Sequence, residues 1–354
     1  PREAWGEKEY HVELTITPEL AAASHGGVLF YFCHIHSRMS GRIVLHNADG
    51  TRVAGSGAGE PELYDPVSVD PIDEVCGTYG LSPYAPGQPG ACEERFVCGD
   101  LDTDFEKCLQ AMDCQMNREM LVVGHDAHQD ELATFSQQMI PHHVNAVNMA
   151  RLLLKHVGRE RLAQVDGFLD MVYDIINGQN FQIHLMRAYL GSHPEYLALN
   201  LTAESVGPHC DKGPHGAGPI VIGIGGGGGG GGGSNGTSGV VVDGFAPACS
   251  EGTPTRRCLE AAVDLFASET GYYVFDGYEG PSPDIHARVG DTLVFRQRDE
   301  TNWYHPLGFA FLPDGAHGST WGAEENPEVE GLDQLAYFVN GERACGAGSE
   351  DDIG

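Results

Sequence analysis

The stretch that most constrains this chain runs from Tyr31 to Gly41, Tyr-Phe-Cys-His-Ile-His-Ser-Arg-Met-Ser-Gly. Cys33, His36 and Met39 follow the spacing Cys-x-x-His-x-x-Met, directly after an apolar, aromatic run that reads as a strand. Thiolate and thioether are soft donors and imidazole is borderline. One Cys and two His with a weak axial Met is the donor set that suits copper. The loop lacks the second, more distant His of such a set, and too few residues precede Cys33 to supply it from upstream strands. The competing readings are a disulfide at Cys33, and histidines used as surface or hydrogen-bonding groups.

The 354 residues are enough for two or three domains with their own cores. Lys and Arg total 20 against 51 Asp and Glu, a net charge of −31, which repels nucleic acid and anionic membrane surfaces. No run approaches 18 apolar residues, so no membrane span is expected. Ten cysteines and two sequons, at Asn200 and Asn235, point to an oxidising secretory route and an extracellular location. The chain opens at Pro1 with neither initiator Met nor signal peptide, as expected of a processed product or a piece of a longer precursor. Cysteine parity cuts against a metal: if Cys33 is a ligand, an odd number remains to pair.

Alternating side chains predict a strand over 9–17, and further strands over 27–32 and 42–45. Residues 46–100 are rich in Gly, Pro and Asp, hold Cys76, Cys92 and Cys98, and read as a disulfide-pinned connector. Asp100, Asp102 and Asp104 have the spacing that opens a calcium loop. Phe105 and Ala111 stand where that loop needs Gly and Glu, so these acids read as helix N-terminal caps. Apolar stripes predict helices over 104–121, 128–156 (with Pro141 inside it) and 160–190, an antiparallel bundle. A linker over 200–238 holds nine consecutive glycines, Gly225 to Gly233, a flexible tether or a packed oligoglycine. Beyond it, 255–268 reads as a short helix containing Cys258, and 272–275 and 292–297 as strands.

The Tyr31–Gly41 stretch resembles the ligand loop of cupredoxins, with amicyanin-like spacing. The segment Val289-Gly290-Asp291-Thr292-Leu293-Val294-Phe295, followed by a polar turn and His305, resembles the other half of the same fold. The resemblance implies a copper site made by Cys33, His36 and His305 with Met39 axial, and His34 on the opposite face of its strand. It also implies one fold split between the chain ends. Either the chain closes on itself as a circular permutant, or one subunit's C-terminal half completes the next subunit head-to-tail, which builds a filament unless the rotation closes. A tandem-repeat precursor is a third arrangement. A laccase-type oxidase would need several His-x-His pairs, and only His34-Ile35-His36 is present.

A second signal is Gln138-Met139-Ile140-Pro141-His142-His143-Val144-Asn145-Ala146-Val147-Asn148-Met149-Ala150. Helical spacing puts Met139, His142, Ala146 and Met149 on one face, with His143 one turn after Met139. Gln179, Gln182 and Met186 share a stripe on the third helix. Thioethers and imidazoles inside a bundle suit Cu(I); equally, Met fills cores and such histidines cap or hydrogen-bond. The stretch, with Gln179 to Leu190, resembles the ferritin-like domain-of-unknown-function family numbered three hundred and five. It departs from that pattern at Gln182 and Asn145. The resemblance implies a ferritin-like bundle and, since some members bind copper through Met and His, a second set of metal candidates: Met139, His142, His143, Met149 and Met186.

The expectation is therefore an α+β multidomain chain in which a ferritin-like antiparallel bundle separates the halves of a cupredoxin-like β-sandwich. Its segments are 1–50, the C-terminal half of the sandwich; 51–103, the connector; 104–191, the bundle; 192–239, the Gly-rich linker; and 240–354, the N-terminal half. The expected cofactor is copper, and the expected partners are identical subunits head-to-tail or a redox protein. No nucleophile–base pair stands out, so enzymatic activity is not expected.

Overall fold

The computed structural model describes residues 7–56, 59–64, 69–120, 130–193, 241, 243–250, 252–315, 329 and 335–344. The chain divides into two units, 1–65 with 228–354, and 66–227. It is a mixed α+β protein with two mixed sheets. Among the described residues, no helix is long and apolar enough to cross a membrane.

In the first unit, Tyr10–Thr15 (β1) buries Val12 and Leu14 and turns His11 and Glu13 to the other face, the period of a sheet covered on one side. Thr17 then caps a short helix, Pro18–Ala23 (α1), which the sequence reading missed. Val28–Cys33 (β2) is buried along its whole length and pairs with Gly41–His46 (β3). After residue 240 come Arg256–Asp264 (β4), Tyr272–Phe275 (β5), Ile285–Arg288 (β6), Thr292–Arg296 (β7), Leu307–Ala310 (β8), Leu335–Val339 (β9) and Glu342–Arg343 (β10).

The two chain ends share both sheets. One sheet has the order β10-β9-β1-β7-β4-β5, the other β6-β3-β2-β8. β1 lies between β7 and β9, with Val12 opposite both Phe295 and Tyr337. β2 pairs with β8, Cys33 opposite Leu307. The sheets meet through rings: Tyr31 of β2 is edge-on to Phe275 of β5 at 5.2 Å, and Phe295 of β7 lies 5.1 Å from Phe309 of β8. Each fully buried aromatic of this kind contributes about 1.5–3 kcal/mol. Gly41 is required opposite Tyr31, because a Cβ there would overlap the Tyr31 ring. On the outer face, Arg256 of β4 reaches Glu13 of β1, one guanidinium nitrogen donating at 2.8 Å.

The expected helix over 255–268 is a strand instead. In β4, Leu259, Ala261 and Val263 are buried in alternation. Ala and Glu there favour a helix in isolation, but pairing with β5 and β7 and the Cys249–Cys258 disulfide decide the outcome.

The second unit is helical. The connector includes a helix, Pro71–Cys76 (α2), and a 3₁₀ turn at Ser82–Tyr84. Disulfides Cys76–Cys108 and Cys92–Cys114 pin it to Asp104–Glu119 (α3), which starts on a capping box of Thr103 and Glu106. Glu131–Val157 (α4) runs through Pro141 without ending. The expected third helix is two, Arg159–Leu162 (α5) and Phe168–Gly191 (α6), separated where Gly167 takes φ 70°. The three long helices are antiparallel neighbours. Gln138 of α4 donates to the Met120 carbonyl and Asn145 reaches back to Asp113, while Tyr189 of α6 donates to Asp130 and Gln182 meets His143. The connector, α3 and α4 share a core of Cys76, Leu81, Cys108, Ala111, Met112 and Leu152.

The sequons at Asn200 and Asn235, the glycine run, Cys210 and Cys345 lie outside the described residues.

Candidate metal centre

β2 alternates inward and outward side chains, and parity decides where its last residue points. Tyr31 faces the opposite sheet, so Cys33, two residues on, shares that side. Phe32 and His34 take the other side, their rings 4.8 Å apart. Gly308 of β8 makes room for them, since a Cβ there would overlap the His34 ring.

The loop turns back immediately, and the His36 N–H donates to Cys33 Sγ at 3.4 Å. His36 Nδ1 then lies 3.6 Å from that sulfur. The far end of the chain supplies the third group: His305 Nδ1 is 3.8 Å from Cys33 Sγ, and the two imidazole rings are 4.4 Å apart. Ligand atoms of Cys33, His36 and His305 all fall within 4.8 Å of one another. The three residues are 0%, 1% and 1% exposed, and Met39, in the same loop, is 0% exposed. Among the described residues, no other three His, Cys, Asp or Glu side chains gather in this way.

His305 is held by its main chain. Its N–H donates to the Asn302 carbonyl at 2.8 Å, and its own carbonyl accepts from the Tyr273 hydroxyl at 2.9 Å and Gln297 Nε2 at 2.7 Å. Asn302, itself buried, donates to the Ala261 carbonyl at 2.7 Å and ties this turn to β4. The His34 N–H closes the gap between the two loops by donating to the Pro306 carbonyl at 3.0 Å.

Burial sets the protonation states. It pushes the Cys33 thiol up to about 11, against the pull of the His36 and Ile35 N–H groups. It holds His305 well below the usual imidazole range, with the neighbouring His36 as a lesser cause. At neutral pH the pocket therefore presents a thiol and a neutral His305. A cation entering it would displace the thiol proton and meet soft and borderline donors. The arrangement could hold a metal ion through one sulfur and two nitrogens.

The helical candidates are arranged differently. His143 Nδ1 is 3.0 Å from the Met139 carbonyl and Nε2 is 2.8 Å from Gln182 Oε1, so both ring nitrogens are in hydrogen bonds. His142 and Met149 are exposed, and Met139 and Met186 are half-buried. Cys98 is a free, exposed thiol.

Residues 114–214 match the family described as Domain of unknown function (DUF305). The match begins inside α3 and takes in α4, α5 and α6, including the Met139–Ala150 stretch. No curated protein and no solved structure matches the chain.

Several supporting residues were not visible in the sequence. Tyr273 and Asn302 carry no motif, and neither does Asp314, whose Oδ1 accepts the N–H of Arg38 beside Met39; each is far along the chain from Cys33. Only Ser40, one residue after Met39, was near enough to suspect.

Proposed function

We propose that the chain binds copper through Cys33, His36 and His305, with Met39 as a weak axial ligand, on a cupredoxin-like sandwich built from both chain ends. The observation that carries this reading is the convergence of one buried sulfur and two buried imidazoles from opposite ends of the chain. Zinc commonly takes four Cys, His or carboxylate ligands. Here three such groups meet beside a loop whose remaining donor is a thioether, a set better suited to copper. Bound copper would supply one-electron redox chemistry. The protein's part is to hold three donors in a buried pocket and exclude water, so that the geometry changes little between oxidation states.

The reading extends to an extracellular electron-transfer or copper-handling protein. Two disulfides in the helical unit and one in the sheet unit favour an oxidising compartment. Head-to-tail assembly into filaments would need the same strand pairings exchanged between copies. The pairings concerned are those of β1 with β7 and β9, and of β2 with β8, and the self-contained and the exchanged forms use the same ones.

The test is addition of Cu(II) to purified protein. An intense blue band from a sulfur–copper bond, lost in Cys33→Ser and altered in His305→Ala, is expected. A protein that stays colourless and retains no metal after desalting would overturn the proposal. Light scattering on the same sample separates monomer from filament.

A further inference from the structure

Met39 sits between two residues tied to Asp314 from the far end of the chain, Arg38 through its backbone N–H and Ser40 through its hydroxyl. Asp314 is 1% exposed. Its Oδ1 accepts the Arg38 N–H at 2.8 Å and the Ser40 hydroxyl at 3.1 Å. The Ser40 oxygen in turn accepts the Asp314 N–H at 2.8 Å, which closes a ring of hydrogen bonds. The Ser40 N–H goes to the Tyr64 hydroxyl oxygen, and the Arg38 guanidinium lies 4.7 Å over the Tyr64 ring.

These contacts hold an unfavourable backbone. Arg38 has φ 62° and Asp314 has φ 61°, conformations that non-glycine residues keep only where the surroundings over-determine them. Hydrogen bonds to a carboxylate are the strong kind. The other oxygen, Oδ2, is buried with no hydrogen-bond partner among the described residues. Oδ1 accepts the bonds from Arg38 and Ser40, and the Met39 N–H also acts on the carboxylate; an amide oxygen at the Oδ1 position could accept the first two.

We propose that Asp314 is a positioning residue for the axial ligand. Its Oδ1 locks Arg38 and Ser40, and so fixes where the Met39 thioether stands relative to Cys33, His36 and His305. The thioether's role rests on the copper reading above, whereas the locking of the loop does not.

The experiment uses the full chain and two readouts. In metal-free protein, amide hydrogen exchange at Arg38 is expected to rise at least about tenfold in Asp314→Ala and to stay near wild type in Asp314→Asn. In Cu(II)-loaded protein, the relative intensity of the two sulfur-to-copper absorption bands is expected to shift in Asp314→Ala as it does in Met39→Leu, and to return in Asp314→Asn. Unchanged exchange at Arg38 would overturn the lock. Faster exchange with unaltered copper bands would overturn the positioning of Met39. If the wild-type chain takes up no copper, the copper reading fails and the exchange result alone decides the lock. Where Asp314→Ala does not fold, Ser40→Ala serves in its place. Loss of the hydroxyl should speed exchange at the Asp314 amide, and no change there would count against the ring.

Discussion

Loading the pocket has to remove a proton from Cys33, and the size of that cost sets a pH dependence. Burial puts the thiol at about 11, so forming the bare thiolate at pH 7 costs roughly 5 kcal/mol. A metal–sulfur bond must offset that before any net affinity appears. Below about pH 11 each unit of pH should then change the apparent affinity about tenfold, rising with pH, because one proton leaves per metal bound. His305 adds nothing to the slope at neutral pH, since burial already keeps it neutral there. Co(II) is a suitable probe, because it reports a thiolate bond by absorption and does not oxidise the thiol. Competition against a chromophoric chelator between pH 6 and pH 8 should show an affinity gain of about 100-fold. Calorimetry in buffers of different ionisation enthalpy should show about one proton released. A flat profile would mean that the thiolate already exists in the metal-free protein, and would refute the reasoning. A slope of two would mean that an imidazole also starts charged.

Two further outcomes test the scaffold. Cys76 and Cys108 close a loop with a sequence separation of 32, so replacing both by Ala should lower stability to urea by about 3–4 kcal/mol on the chain-entropy estimate; the copper bands should be unaffected if the helical and sheet units are independent. Gly41→Ala drives a methyl into Tyr31 and should cost about 1–3 kcal/mol in thermal unfolding. Tyr31→Phe should not rescue it, because the ring carbon as well as the hydroxyl is in the way.

Much of the sheet unit was legible because alternation survives in its strands. The readings over 9–17, 27–32, 42–45, 272–275 and 292–297 all fall on strands. β4 was misread because Glu260, Ala261 and Ala262 carry helix propensity, which its pairing with β5 and with the more distant β7 overrides. The break at Gly167 was missed because the apolar stripe continues on both sides of it. Cys33, His36 and His305 could be named together because each follows a recognisable local pattern. Asp314 could not, since a buried Asp that locks a loop has no pattern of its own. Nor does spacing reveal that His143 spends both ring nitrogens on Met139 and Gln182.

The register between β2 and β8 is itself part of the site. Cys33 faces inward only because it stands opposite Leu307, with His305 just before that strand. A slip by one residue would turn Cys33 outward and bring His34 to the inner face. The short β8 holds this register with help from the His34–Pro306 bond on one side and the Asp314 ring on the other. Both are long-range contacts, so the donor set exists only after the chain ends have met. A metal that binds this set and not the unfolded chain would stabilise the closed arrangement by mass action. The ion would then act as a tether between the ends, and its removal should loosen β2 and β8 before it disturbs the disulfide-bonded helices.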